Sequence, residues 1–479
     1  MRSIRGGLWV FTAQVIGKGF GIVRLIILAR LLAPEDFGIM GIAMLAITTL
    51  ETFSKTGIEA ALIQRKDNIK PFLDAAWTFL VIRGFIIFLL LFFSAPLVAI
   101  FFNSPPAASI IRFLGVYALF KAFTNIGVIY LEKELEFKKQ FFFQVSGTLA
   151  DMIVSIVLSI LLRNVWALIF GLLAGQITLL CVSYIIHPLR PRFSFKLKQV
   201  KELLSYGKWI LGSSILGFII SKGDDIVVGK MLNPATLGFY QMAFRLSNLP
   251  TTEITQVISR VTFAAYSKIQ DNASRLRNAV TRTLRLVSFI SVPMGGGMFI
   301  LAAEMTRVFL GEKWLPIVPA FELLCFVGVV RSITANFGSI LNSQGRPDIQ
   351  TRASLLNMTT LGLSIYHLVK HFGMMGAVYS RMVTFLSQFY VWPYVLRILQ
   401  MSLKEMLKTF SLPFISTLVM VFSISMAKNI FYQVNLLNLL SLLAVGLLVY
   451  FPVLFLLDGI FKHGIMKELK TIVNECKRQ

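Results

Sequence analysis

Ala29-Arg-Leu-Leu-Ala-Pro34-Glu-Asp-Phe-Gly38 and Gly229-Lys-Met-Leu-Asn-Pro234-Ala-Thr-Leu-Gly238 follow one pattern: small, basic, apolar, Leu, any, Pro, any, any, apolar, Gly. The two prolines are 200 residues apart. A second echo links Asn125-Ile-Gly127 to Asn336-Phe-Gly338 in the same order. Two echoes at nearly one offset mark an internal repeat. The first motif closes one apolar stretch and opens the next, and so does the second. The repeat therefore predicts two six-helix halves, with two helices left over at the end.

The apolar stretches that flank these motifs are long enough to span a bilayer, which takes about 20 residues per helix. They recur at roughly 8 to 32, 37 to 62, 75 to 102, 108 to 131, 142 to 162, 165 to 187, 207 to 229, 236 to 264, 284 to 303, 316 to 341, 353 to 370, 373 to 396, 409 to 427 and 436 to 461. The expectation is an all-α polytopic membrane protein of about fourteen transmembrane helices. Its lobes would be 1–205 (spans one to six) and 206–400 (spans seven to twelve), with 401–479 holding the last two spans and a tail. An even number of spans per half inserts both halves the same way up, related by an axis along the membrane normal. Such halves enclose a central cavity, which is transporter architecture.

Composition agrees, since 56% of the 479 residues are hydrophobic and only 15% are charged. The apolar run after Met-Arg-Ser-Ile-Arg-Gly-Gly continues to about Leu32 with no small-residue cleavage site, so the first span is expected to remain as an anchor. The formal charge of +24 would raise the question of nucleic acid in a soluble protein. Topology explains it instead. With the N-terminus in the cytoplasm, the inside connections and tails carry about 28 Lys and Arg against about 8 outside. The inside set includes Lys66, Lys70, Lys138, Arg190, Arg192, Arg275, Arg277 and Arg346, and the tail set runs from Lys462 to Arg478. This bias places both termini on the cytoplasmic side and leaves a nucleic-acid partner nothing to explain. No outside connection is long enough for a catalytic domain, so function is expected among the helices.

Charges at mid-helix depth cost about 2.5 to 3.5 kcal/mol each on insertion scales, so they normally face a cavity or a partner. Glu51, Lys55 and Glu59 are spaced four apart, which on one helix face reads either as a self-neutralised ladder or as a polar cavity wall. Arg24 and Asp224 each stand ten residues before their motif proline. That equivalence suggests that Arg24 pairs with Asp224 or Asp225, either as a gate or as an ordinary helix-bundle salt bridge. Asp151 is a further candidate for gating or coupling. The surplus of cations favours an anionic substrate, with Arg83, Lys121, Arg331 and Arg381 as its expected contacts. Gly17, Gly19, Gly21, Pro96, Pro250, and Pro293 with Gly295 to Gly297 are candidate hinges, although close helix packing is the preferred reading of the Gly17/Gly21 pair.

Nucleotide, zinc-protease, serine-hydrolase and dinucleotide fingerprints are missing. His187, His367, His371 and His463 lie near span ends, and Cys181, Cys325 and Cys476 match no metal spacing. Neither a catalytic centre, a cofactor nor a metal is expected. Energy for transport would come from an H+ or Na+ gradient, the membrane potential or substrate supply.

The first motif and its continuation Glu51-Thr-Phe-Ser-Lys-Thr-Gly-Ile-Glu-Ala-Ala-Leu-Ile-Gln-Arg-Lys66, with Asp225-Ile-Val-Val-Gly-Lys-Met-Leu, resemble the polysaccharide transporters of the multidrug/oligosaccharidyl-lipid/polysaccharide (MOP) flippase superfamily. The Wzx-type lipopolysaccharide and exopolysaccharide branch is the most similar. That resemblance implies a MATE-like fold and alternating-access flipping of an undecaprenyl-pyrophosphate-linked oligosaccharide across the bacterial inner membrane, with lipid-linked glycan and membrane lipids as partners. The alternatives are a cation-coupled multidrug exporter of the MATE branch, a lipid II flippase, or a membrane glycan ligase or polymerase.

Overall fold

A computed structural model describes residues 2–431 and 433–461. The side chains of 2–11, 13–15, 197–198, 204–210, 249–261 and 264 are not among those described. The basic tail, His463 and Cys476 thus lie outside the described residues, as do the side chains of Pro250, Glu253 and Arg260. All regular structure among the described residues is helical.

The chain divides into two units, residues 1–238 and 239–479. The first holds α1 (Arg2–Leu31), α2 (Pro34–Phe53), α3 (Ile58–Gln64), α4 (Lys70–Phe101), α5 (Ala107–Ala122), α6 (Ile129–Lys133), α7 (Phe137–Leu162), α8 (Trp166–Ile186) and α9 (Leu197–Met231). In it α1 runs along α7, α7 packs on α8, α4 on α5, and α9 on α2, α3 and α4. The chain then enters α10 (Pro234–Lys268). The second unit continues with α11 (Ala273–Ile300), α12 (Ala302–Met305), α13 (Val318–Ser343), α14 (Pro347–Phe372), α15 (Met374–Val383), α16 (Trp392–Leu399), α17 (Leu403–Lys428) and α18 (Leu436–Phe461). There α11 packs on both α13 and α17, and α17 on α18.

Eight of these helices are long and apolar enough to cross a membrane, or nine when the bent pair α5 and α6 counts as one span. The other expected spans fall on α1, α9 and α10, whose side chains lie partly outside the described residues, and on α14 and the α15–α16 stretch, which are more polar or shorter. Large apolar side chains point outward along the spans: Phe93, Leu97 and Ile100 on α4 are 71%, 69% and 72% exposed. Water would not tolerate so continuous an apolar surface, whereas acyl chains match it.

The repeat is visible in the backbone. Both motif copies turn between helices through two residues, Leu32-Ala33 and Leu232-Asn233, and both prolines open a helix. Proline suits this first position because its missing N–H has no helical acceptor there and its φ is already helical. The caps differ. In the first copy the Asp36 carboxylate accepts from the Ala33 N–H at 2.9 Å. In the second the Asn233 side chain accepts from the Thr236 N–H at 2.8 Å. The second echo is not equivalent in the two halves. Asn125 breaks its span with a 65° bend between α5 and α6, whereas Asn336 sits inside unbroken α13.

The motif glycines explain their own identity. A methyl group at Gly38 would overlap the backbone carbonyl of Pro234, and one at Gly238 would overlap the carbonyl of Pro34. The first turns of α2 and α10 are thus in reciprocal backbone contact, each proline carbonyl occupying the place of the other copy's missing side chain. By contrast a methyl group at Gly17 or Gly21 would meet no atom within 4 Å among the described residues. Gly38→Ala and Gly238→Ala should each lower the melting temperature of the purified protein, the overpacking costing about 1 to 3 kcal/mol. Gly17→Ala, which removes a helix-interior glycine without a clash, should leave it unchanged or raise it.

Candidate functional site

Helix α2 ends at Phe53, and the chain turns through Gly57 at φ 67° before α3 begins. The turn falls inside the Glu51, Lys55, Glu59 series, so the three residues do not share one continuous helix face. Lys55 lies in the turn and is exposed. Glu51 and Glu59 instead line a pocket of about 100 Å³ together with Arg83, Lys121, Asn125 and Ile129.

The cations are contributed by neighbouring helices. Lys121, in the last turn of α5, pairs with Glu51 at 2.7 Å. Arg83, on α4, donates to the Glu51 carbonyl at 2.8 Å and to Ser54 Oγ at 3.1 Å. It therefore caps the carbonyl end of α2, where a cation is favoured by the helix dipole as well as by the unmatched acceptors. Gly84 makes this geometry possible, because a side chain there would overlap Ala122 and push α4 away from α5. Two carboxylates and two cations share the pocket. Its charge is balanced, so an incoming anion must compete with Glu51 for Lys121.

The pocket wall at Asn125 is tied to the end of α8. The Asn125 backbone N–H donates to Ser183 Oγ at 3.0 Å and its side-chain amide donates to the Leu189 carbonyl at 2.7 Å. His187 stacks on Tyr130 with ring centroids 5.2 Å apart and accepts the Leu189 N–H on Nδ1 at 3.2 Å. Burial first, then the charge of Lys139, hold its imidazolium below the usual histidine range.

Arg24 is on α1, and its partners are on α7. It pairs with Asp151 at 2.9 Å and donates to Ser155 Oγ at 2.9 Å. The expected pairing with Asp224 or Asp225 is therefore corrected. Equal depth along related helices does not make two side chains face each other, and α1 packs along α7. Gly171 and Gly175 of α8 leave room for Asp151, since side chains there would press on it. Asp225 pairs with Lys222 one turn back at 3.0 Å, and Asp224 is buried beside it on α9.

In the second unit, Arg331 donates to the Asn248 side chain at 3.4 Å, and the Arg381 guanidinium lies 5.4 Å from the centre of the Phe244 ring. Two of the four expected anion contacts thus meet at one turn of α10. The first unit gathers the other two with Glu51.

Residues 27–319 match the family described as "Polysaccharide biosynthesis protein". The chain belongs to that family. Its relatives include the lipopolysaccharide biosynthesis protein WzxC of Escherichia coli K12, 28% identical over 73% of this chain and 71% of its own length. The teichuronic acid biosynthesis protein TuaB of Bacillus subtilis 168 is 24% identical over 86% of each chain. Among solved structures, the lipid II flippase MurJ in its inward closed conformation has a TM-score of 0.77 at 15% identity, covering 96% of this chain and 100% of its own. An inward-facing MATE multidrug transporter of the MOP superfamily has a TM-score of 0.61 at 16% identity, covering 80% of this chain and 95% of its own. The chain thus shares the fold of these two structures, and this member of the polysaccharide biosynthesis family is a multi-pass membrane protein.

Charge alone singles out Arg24, Asp151, Arg83 and Lys121 in this family member's sequence, but not the serines that complete their shells. Ser155 stands four residues after Asp151 and is legible as its helical neighbour. Ser54 becomes a partner of Arg83 only because α2 ends there. Arg24→Ala should destabilise the protein by about 2 kcal/mol by leaving Asp151 unpaired, and Arg24→Ala with Asp151→Ala by less, as a thermal-melt double-mutant cycle would show. A histidine held below its unfolded pKa contributes stability that is complete above that value and lost as pH falls through the folded one. The melting temperature should therefore fall as the pH drops below about 6.5, the ordinary histidine value, and less steeply in His187→Gln.

Proposed function

We propose that this chain carries a polyprenyl-pyrophosphate-linked oligosaccharide, such as an undecaprenyl-linked O-antigen or exopolysaccharide unit, from the cytoplasmic to the outer leaflet of the bacterial inner membrane by alternating access. The observation that carries the reading is the reciprocal contact of the two repeat motifs. With both termini in the cytoplasm, the α1–α2 and α9–α10 turns lie at the outer side, so this contact is a seal there. Glu51 lies 17 residues along α2 from Pro34, about 26 Å at the helical rise. The charged pocket is thus on the inner side of a closed outer end, where a cytoplasmic substrate would enter.

The substrate headgroup would exchange for Glu51 at Lys121 and Arg83, with Arg331 and Arg381 as the matching contacts of the second half. A pyrophosphate suits this, because it replaces one carboxylate with several charged oxygens. The Arg24–Asp151 pair and the acidic Asp224 and Asp225 are the candidates for coupling to H+ or Na+. The lobes 1–205 and 206–400 would rock about the seal, and 401–479 would add the extra hairpin. Coverage favours a glycolipid flippase over a multidrug exporter, since the MATE structure leaves a fifth of this chain unmatched whereas the lipid II flippase matches nearly all of it.

Proteoliposomes holding the purified protein and an undecaprenyl-pyrophosphate-linked oligosaccharide test this by leaflet-specific access of a periodate or lectin probe. Transfer is expected in the wild type and should fall at least about tenfold in Lys121→Met and in Gly238→Val. Movement of cationic dyes with the glycolipid left in place would sink the reading, and preference for lipid II would move it to that branch.

A further inference from the structure

A second cavity, of about 230 Å³, lies in the second unit where α12, the end of α17 and the start of α18 converge. It shares no residue with the charged pocket. We propose that it is a subsite for a neutral pyranose ring.

The floor is an ion pair. Lys428 Nζ reaches Glu304 at 2.8 Å and also donates to the Ile300 carbonyl, so its charge is already matched. The rim is made of amides: Asn429, Gln433, Asn435 and Asn438, beside Phe431 and Leu439. Asn435 caps α18 by accepting the Asn438 N–H at 2.8 Å, and the Asn438 amide donates to the Gln433 carbonyl at 2.7 Å. The side-chain amides of Asn429 and Gln433 have no hydrogen-bond partner among the described residues.

Each class of ligand asks something different of such a site. A phosphate needs uncompensated cations, and the one cation among the described lining residues, Lys428, is held by Glu304. A divalent cation needs several oxygen anions, and one paired carboxylate does not provide them. An acyl chain would strand the amides. A pyranose fits all the parts: its hydroxyls both donate and accept, as carboxamides do, and its C–H face packs on an aromatic ring. The volume is below the roughly 300 Å³ at which drug-sized sites begin, which admits one ring rather than a chain of them.

The proposal joins the reading above at one point. In the proposed orientation the cavity is at the outer side, where it would meet a sugar of the emerging glycan, but sugar binding itself does not depend on flipping. Failure of one therefore leaves the other standing.

Saturation-transfer NMR on the full chain in nanodiscs, exchanged out of maltoside detergents whose headgroups are themselves sugars, would test it with a panel of neutral methyl pyranosides and with glycerol phosphate. At least one pyranoside should give a signal that drops about fivefold in Gln433→Leu and in Asn429→Leu, the loss of one neutral hydrogen bond. The signal should persist in Lys121→Met. Both leucine variants replace exposed side chains that make no bond in the fold, and an unchanged melting temperature confirms that they are folded. Repeating the titration with a monoglucosyl diacylglycerol in the nanodisc separates sources: competition by it would assign the site to a lipid headgroup, its failure to a glycan. No pyranoside signal, a signal unchanged in the leucine variants, or preference for glycerol phosphate overturns the proposal.

Discussion

The contact between Pro34 with Gly38 and Pro234 with Gly238 is the constraint on which the rest of the structure depends. Two helix first turns can meet backbone to backbone only where neither has a side chain in the way, and a proline at each start keeps the turn in shape without needing an N–H acceptor. Here the two turns are engaged, with no room for a side chain between them. The repeat supplies this contact from one motif written twice.

The second constraint is charge in a medium that does not solvate it. Every mid-depth cation described here is met by something: Arg24 by Asp151 and Ser155, Lys121 by Glu51, Arg83 by the carbonyl end of α2. These are balanced sites. An anionic headgroup would displace a resident carboxylate rather than fill an empty positive hole, and that exchange is a natural means of linking substrate entry to helix movement. Both units match cations with carboxylates, Lys121 with Glu51 in the first and Lys428 with Glu304 in the second, and the second also brings Arg331 to an amide and Arg381 to an aromatic face.

Helix interruptions position both cavities. The turn at Gly57 separates Glu51 from Lys55 and leaves Glu51 to α5, and the bend at Asn125 is held open by Ser183 and the Leu189 carbonyl. The hairpin of α17 and α18 stands outside the repeat and has its own polar cavity at the connecting loop. Neither echo nor hydropathy announced it. Its amides are ordinary surface residues in sequence, and only the ion pair between Glu304 and Lys428, 124 residues apart, gathers them.

By itself the sequence determined the environment, the all-helical architecture, the repeat and the family, because apolar length, proline and glycine punctuation and a local motif are properties of contiguous residues. It also named the charged residues inside the expected spans. It did not determine their partners. Arg24 meets Asp151 rather than Asp224, and Glu51 meets Lys121 rather than Lys55, because pairing depends on which helices pack together and where each one ends. Helical periodicity gives a residue's face and depth on its own helix, whereas the neighbour that face meets is set by packing between distant segments, and only the tertiary structure decided that.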